Sequence, residues 1–239
     1  MVGYGGEMTH RDDSAILVLG ASGGLGREIA RLLAAGGARL VLSGRDQAKL
    51  EALSIPGTRL AADLTDPEAI TALVAESIRV NGRLDGIINA AGVVAFGPAT
   101  EVSDETLTEL FALNTLAPIR LLRAARFALT ESAEQGRDPF VVTLSGVVSE
   151  SPTANLAAYS ASKAALAAFG QAAGRELRRS GIRILDARPG HTETELSTHP
   201  IQGTAPRLPA GYSPVVVAQR VVDAIIYGER DLASTSFQS

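Results

Sequence analysis

The chain has 239 residues, 46% of them hydrophobic and 20% charged, with a formal net charge of −4. This length and apolar content suit one large single-core domain, and the mildly acidic balance supplies no basic footprint for nucleic acid. No apolar run approaches the roughly 18 residues that span a bilayer, the first residues lack the basic-then-apolar order of a secretory signal, and the lack of cysteine excludes disulfides, thiol nucleophiles and Cys-ligated metals. These features predict a soluble, cytoplasmic protein that binds neither nucleic acid nor membrane.

Residues 1–13, "MVGYGGEMTHRDD", are polar, Gly-rich and aperiodic, and read as a flexible tail. Residues 14–239 read as one domain. "AILVLG" at 15–20 is an apolar run ended by Gly, and the amphipathic segment from Gly24 to Ala35 predicts a helix closing at Gly36-Gly37. "RLVLSG" predicts a second strand, "DQAKLEALS" a short helix and "TRLAADL" a third strand. "DPEAITALVAESIRV" predicts a helix with Asp66 as cap and Pro67 at its first position. "LDGIINAAG" is a fourth strand, and Ser103 caps one long helical stretch towards Thr130. "FVVTLS" is a fifth strand, "LAAYSASKAALAAFGQAAGRELRRSG" a helix ending at Gly181, and "IRILDARPG" a sixth strand. "SPVVVAQRVVDAIIYGE" is the last helix, and "LASTSF" a weak edge strand. The strands are continuous apolar runs, as burial on both faces of a parallel sheet produces. The predicted fold is α/β: a single doubly wound, Rossmann-like parallel sheet of six to seven strands with helices on both faces.

In such sheets ligands sit at the carboxyl ends of the strands. "LGASGGLGRE" places Gly20, Ser22, Gly24, Leu25 and Gly26 between a strand and a helix. Without Cβ atoms the backbone can turn tightly and approach a phosphate, and the free N–H groups of a helix start favour an anion. The spacing is GxxxGxG, and a structural Gly turn is the alternative. A carboxylate near the end of the second strand holds adenosine ribose hydroxyls in this kind of fold, whereas an Arg suits a 2′-phosphate. Here that strand ends "LSGRD", so Arg45 favours NADP(H), with NAD(H) as the alternative. Asp63 and Leu64 end the third strand, where a side chain and a backbone amide can meet an adenine edge; a helix-leading Asp is the other reading.

Tyr159 and Lys163 are four apart on a predicted helix and therefore share one face. An ammonium stabilises a phenolate, so such a Tyr can exchange protons near neutral pH. The combination of GxxxGxG at Gly20 to Gly26, "NAAG" at Asn89 to Gly92 (Asn89, Ala90, Gly92), Asn114 in a helix, Tyr159 with Lys163, and "PGHTET" from Pro189 to Thr194 resembles the short-chain dehydrogenase/reductase family over roughly residues 14–228. The resemblance implies a single-domain NAD(P)-dependent oxidoreductase in which Tyr159 exchanges a proton with the substrate oxygen. Lys163 would lower the pKa of that Tyr and hold the nicotinamide ribose. Asn114 would bind a water in a proton relay, the "NAAG" turn would support the sheet beside the cofactor, and the loop through Pro189, Gly190, Thr192 and Thr194 would hold the carboxamide. It also implies a homodimer or homotetramer built on the helices around 103–130 and 156–181. The Ala-rich face of 161–173 would let another helix pack closely.

Three positions depart from the family pattern. Leu19 stands where Thr is common, and Ala90 replaces the second Asn of NNAG. Gly146 occupies the place of the substrate-orienting Ser, 13 residues before the Tyr. Ser145 is the substitute expected here, re-aimed by a bend at Gly146, because adjacent strand side chains otherwise face opposite ways. Ser149 in the following loop is a second candidate, and a Ser145 hydroxyl hydrogen-bonded to backbone leaves the site without a serine. His10, His191 and His199 are the only histidines, and no metal is expected. The sequence thus supports an NADP(H)-dependent enzyme acting on a small-molecule carbonyl or alcohol. The alternative is a cofactor-binding regulatory or scaffolding protein, which Gly146 favours and the Tyr159/Lys163 pair opposes.

Overall fold

The computed structural model describes residues 13–237. Strand β1 (Ala15–Leu19) is five apolar residues, all fully buried, as a central parallel strand covered on both faces requires. It pairs in parallel with β2 (Arg39–Gly44) on one side and β4 (Gly86–Asn89) on the other. With β3 (Thr58–Ala61), β5 (Phe140–Leu144), β6 (Arg183–Ala187) and β7 (Asp231–Leu232), the sheet runs β3-β2-β1-β4-β5-β6-β7, and every pairing is parallel. This is the doubly wound α/β fold. The strand order reverses between β1 and β4, and the crevice outside the carboxyl ends of the strands at that point is where such sheets bind ligands.

The helices are α1 (Gly24–Ala35), α2 (Gln47–Glu51), α3 (Pro67–Asn81), α4 (Asp104–Phe111), α5 (Ala117–Glu134), α6 (Ala157–Leu177) and α7 (Pro214–Ile226). α1 and α7 cover one face of the sheet through Ile29, Leu33, Val217 and Val221. α3 and α5 cover the other through Ile70, Leu73, Leu121 and Leu129. Two starts are fixed by the caps the sequence predicts: Asp66 accepts the Glu68 N–H at 2.9 Å and Ser103 the Thr106 N–H at 3.1 Å. Each satisfies a helix-end donor and contributes about 1 kcal/mol.

Two elements differ from expectation. The single helical stretch from Ser103 to Thr130 is divided by a π-helical turn, Ala112–Leu116. Pro118 has no N–H, so the carbonyl four residues before it, that of Asn114, loses its α-helical donor, and just before it the ladder widens, with the Ala117 N–H going five residues back to Ala112 O. The expected edge strand at 232–237 is only Asp231–Leu232, followed by a 3-10 turn, Ser234–Phe237, that buries Phe237 against the core. Beyond Ala187 the partner strand runs into Pro189, which cannot donate to a ladder. Of the expected tail, Asp13 is ion-paired to Arg39 at 2.8 Å and Arg83 at 3.0 Å, while His10 and the rest of residues 1–12 lie outside the described residues. Among the described residues no helix is long and apolar enough to cross a membrane.

Candidate active site

The chain leaves β1 through a turn that needs glycine. Gly20 has φ +70°, and a Cβ there would lie 2.7 Å from the Ala90 backbone. A Cβ on Gly26 would collide with the Gly20 carbonyl oxygen. The first turn of α1 is therefore pressed against the Gly20 loop, and the "NAAG" segment lies directly beside it. α1 has no side-chain cap and no acidic residue in its first turn, so its leading N–H groups, on Gly24, Leu25 and Gly26, suit an anion. Ser22 faces Gly44 at the end of β2, its Oγ 3.2 Å from where a Cβ would lie. Thr194 reaches over the same turn, with its methyl 2.6 Å from a Cβ position on Gly24.

At the tips of β2 and β3, Arg45, Asp63, Thr65, Asp104, Glu105 and Glu109 are among the residues lining an open cleft of about 560 Å³. The amide and hydroxyl of Thr65 donate to Asp63 Oδ1 at 2.9 and 2.8 Å. These bonds hold the Asp63 carboxyl below the usual range, and the Arg45 guanidinium adds to the effect. Asp63 thus closes a small turn that leads into α3 while also facing Arg45. Leu64 is buried in the core, which leaves its backbone for any ligand.

Three predicted catalytic residues converge at the ends of β4 and β5. A Cβ on Gly92 would lie 3.0 Å from Asn114 Oδ1 and 3.4 Å from Lys163 Nζ. Asn114 is buried in the π turn, and its side chain is committed: it accepts the Val93 N–H at 3.0 Å and donates to Val93 O at 2.9 Å and to Ser162 Oγ at 3.1 Å. Lys163 is buried and donates to Leu144 O at 2.8 Å, with Nζ 5.9 Å from the centre of the Tyr159 ring. Burial pushes the Tyr159 phenol up to about 12. It drives the Lys163 ammonium down to about 8, against an opposing pull from Asp186.

Gly146 does bend the chain, with φ 75° and ψ 164°. Its N–H goes to Ala187 O and the Val147 N–H to Pro189 O, at 3.3 and 2.9 Å. The bend leaves Ser145 fully buried, with its hydroxyl donated to Asp186 Oδ2 at 2.6 Å, because a carboxylate on the next strand is a stronger acceptor than a neutral oxygen. Ser149 donates to Gly146 O at 2.7 Å and lies 3.1 Å from Ser145 Oγ. Asp186 in β6 and Arg188 just past its end, both buried, are groups the sequence analysis did not single out.

The loop after Pro189-Gly190 forms a strap across this end of the crevice. Its base is closed by a Thr192–Tyr212 bridge, and the Thr192 hydroxyl donates to Gly190 O at 3.0 Å. Its tip pairs with the segment after β4: Phe96 N–H donates to Gln202 O and Ile201 N–H to Val94 O, both at 2.9 Å. The Gln202 side chain accepts the Ser103 N–H at 3.1 Å and donates to Glu101 O at 3.2 Å. His191 on this loop lies 3.6 Å from Glu193, and His199 contacts Thr198 and the Glu195 carbonyl. Among the described residues no three His, Asp or Glu side chains gather as metal ligands do.

Known proteins share this fold. Mouse (Mus musculus) dehydrogenase/reductase SDR family member 7B is 30% identical over 243 residues, which cover 94% of this chain and 74% of that protein. A Sphingobium yanoikuyae short-chain dehydrogenase in complex with NADPH superposes with a TM-score of 0.81 at 28% identity, covering 92% of this chain and 87% of that one. A metagenomic short-chain oxidoreductase in complex with NADP gives 0.77 at 29% identity, covering 93% and 96%. Residues 14–203 match the family model described as short chain dehydrogenase, and with the doubly wound sheet and the Tyr159/Lys163 helix this chain belongs to the short-chain dehydrogenase/reductase family of oxidoreductases.

Proposed function

We propose that the protein is an NADP(H)-dependent oxidoreductase that interconverts a carbonyl and a secondary alcohol in a small-molecule substrate, with Tyr159 exchanging the proton. The observation that carries this reading is the convergence of Tyr159, Lys163 and Asn114 beside an uncapped helix start packed onto a glycine turn. The NADPH and NADP held by the two solved relatives support it. The cofactor would supply or accept a hydride at the substrate carbon. Gly20, Ser22, Gly24, Leu25 and Gly26 would hold its pyrophosphate, Arg45 its 2′-phosphate, and Asp63 and the Leu64 backbone its adenine. Asn89, Ala90 and Gly92 would flank it, Lys163 would hold its second ribose, and Pro189, Gly190, Thr192 and Thr194 its carboxamide.

With a phenol displaced to about 12, Tyr159 is protonated at neutral pH, the form that donates to a developing alkoxide when a carbonyl is reduced. Lys163, mostly ammonium below pH 8, stabilises the phenolate left behind. Because the Asn114 side chain is fully engaged, its part in a proton relay falls to its backbone carbonyl, the one that Pro118 deprives of a helical donor. With Ser145 bonded to Asp186, the alkoxide lacks one hydrogen bond, which for comparable oxyanion donors costs roughly 10²–10³ in rate. The exposed Leu116 and Phe127 near and on α5 support assembly as a homodimer or homotetramer through that face.

The test has two stages: titration with NADPH and NADH followed by nicotinamide fluorescence, then NADPH oxidation over a carbonyl panel by wild type and Tyr159→Phe. Micromolar NADPH binding that is unchanged in the variant, with turnover lowered roughly 10²–10⁴-fold, is expected. Binding of neither cofactor sinks the reading. Gly146 favours a second reading, a cofactor-binding regulatory or scaffolding protein, and tight binding with turnover indifferent to Tyr159→Phe would establish it.

A further inference from the structure

The segment "RILDARPG" places Asp186 in β6 and Arg188 two residues on, just past its end, where the Arg188 N–H still pairs with Leu232 O of β7; the two therefore share one face, and both are buried. That face lies under α6: a Cβ on Gly170 would sit 3.8 Å from Ile184 and 4.0 Å from the Thr143 hydroxyl. Asp186 accepts three hydrogen bonds, from Thr143 Oγ1 at 2.9 Å, Ser145 Oγ at 2.6 Å and Arg188 Nη1 at 3.1 Å. The residue between Thr143 and Ser145 is Leu144, whose carbonyl receives the Lys163 ammonium at 2.8 Å. The carboxylate and the ammonium therefore grip the same three residues at the end of β5.

Stability is a weak reason for such a pair, since well-packed apolar residues of similar volume do as well or better than a buried ion pair. What an apolar pair lacks is charge. Arg188 is shared among three carboxylates: its Nε meets Glu150, its Nη1 Asp186 and its Nη2 Asp231 at 2.8 Å. The titratable and charged groups facing the cluster are Tyr159 and Lys163 from α6, Asp186 and Arg188 from β6 and its end, Glu150 just after a 3-10 turn at Val147–Ser149, and Asp231 from β7; β5 contributes hydroxyls. One guanidinium against three carboxylates leaves a negative surplus, and Lys163 is the cation above it. We propose that Asp186, braced by Arg188, is a positioning residue of the active site, serving as the buried counter-ion of Lys163 while it fixes the Ser145 hydroxyl at the end of β5. Its catalytic meaning rests on the oxidoreductase reading above. Asp186 opposes the burial that drives Lys163 down to about 8, and so keeps the ammonium available to Tyr159 across neutral pH.

The chain has two lysines, Lys49 and Lys163, so protein carrying lysine labelled with carbon-13 at Cε gives two NMR signals, and Lys49→Arg assigns them. In Asp186→Asn the Lys163 signal is expected to titrate about one pH unit lower or more, whereas Ser145→Ala, which keeps the charge, moves it far less. Asp186→Ala, in which Arg188 keeps Glu150 and Asp231 as partners, removes the carboxylate alone and answers the same question should Asp186→Asn not fold. A Lys163 titration unmoved in either variant overturns the proposal, as does an equal displacement in Ser145→Ala. This readout needs neither cofactor nor substrate, so its failure is separate from failure of the oxidoreductase reading, which shows in the turnover assay. Where turnover is measured, the alkaline limb of the kcat profile moves to lower pH in step with Lys163.

Discussion

The two ends of the crevice are built by different means. Around β1, β2 and α1 the site is backbone: Gly20 and Gly26 allow a helix start, a turn and the "NAAG" segment to lie within van der Waals distance, and the donors offered are main-chain N–H groups. Around β5, β6 and α6 it is side chains brought together across long separations, with Thr143 and Asp186 43 residues apart and Lys163 and Leu144 19 apart. Backbone-built sites are written locally by residues that lack a side chain. Side-chain networks depend on which residues the strand register sets opposite each other.

The sharpest way to break the first half is Gly26→Ala. Its methyl would meet the Gly20 carbonyl, which is backbone and cannot swing away. We expect a loss of about 3 kcal/mol or more in stability, read as a fall in the thermal midpoint, with NADPH binding below detection. A variant that folds and binds like wild type would show that the turn is not a phosphate cradle.

The second half is probed by pH. The active form for reduction is neutral Tyr159 with ammonium Lys163. A lysine loses its proton as pH rises through its pKa, here about 8, while Tyr159 stays protonated until about 12. Thus kcat should be level below pH 7 and fall about tenfold per unit once well above 8. An alkaline limb that begins only near 10 would mean that Lys163 is not held down by burial.

This contrast explains how much of the molecule was legible. Strands appeared as apolar runs because both faces are covered, helix starts appeared at Asp66 and Ser103 because caps are local, and Tyr159 and Lys163 appeared as a pair because helical spacing is fixed. The π turn was written in the chain too, in Pro118 four residues after Asn114, but only for a reader asking where each carbonyl finds its donor. The destination of the Ser145 hydroxyl was not readable, because it is set by the β5–β6 register that pairs Thr143 with Asp186. The pairing of the strap at Gln202 with Ala95 is equally non-local.

Gly146→Ser, which restores the residue type of the family pattern, tests whether the β5 end is a simple hydroxyl deletion. A Cβ at this position has room, its nearest neighbour being Pro189 O at 3.7 Å. The backbone, at φ 75° and ψ 164°, is in a region essentially reserved for glycine. The expected result is a stability loss of about 1–3 kcal/mol by denaturant unfolding, with no gain in turnover. A stable variant with faster turnover would mean that the chain readily readopts an ordinary strand end and that Asp186 does not dictate it.

The smallest expected effect concerns Arg45, where the two building styles meet. The residue sits on the backbone-built side, yet its neighbours are side chains: Asp63 faces it, and Asp104, Glu105 and Glu109 share its cleft. A dianionic 2′-phosphate entering there gains a guanidinium but approaches four carboxylates, so Arg45 is the cation of this lining that offsets their repulsion. Arg45→Ala should weaken NADPH binding about tenfold, the scale of one solvent-exposed charge-assisted contact, and leave NADH, which has no phosphate there, nearly unchanged. The two fluorescence titrations measure this directly. Equal losses for both cofactors would move Arg45 from phosphate recognition to support of the β2 tip, and would leave the carboxylates of the cleft to hold ribose hydroxyls instead.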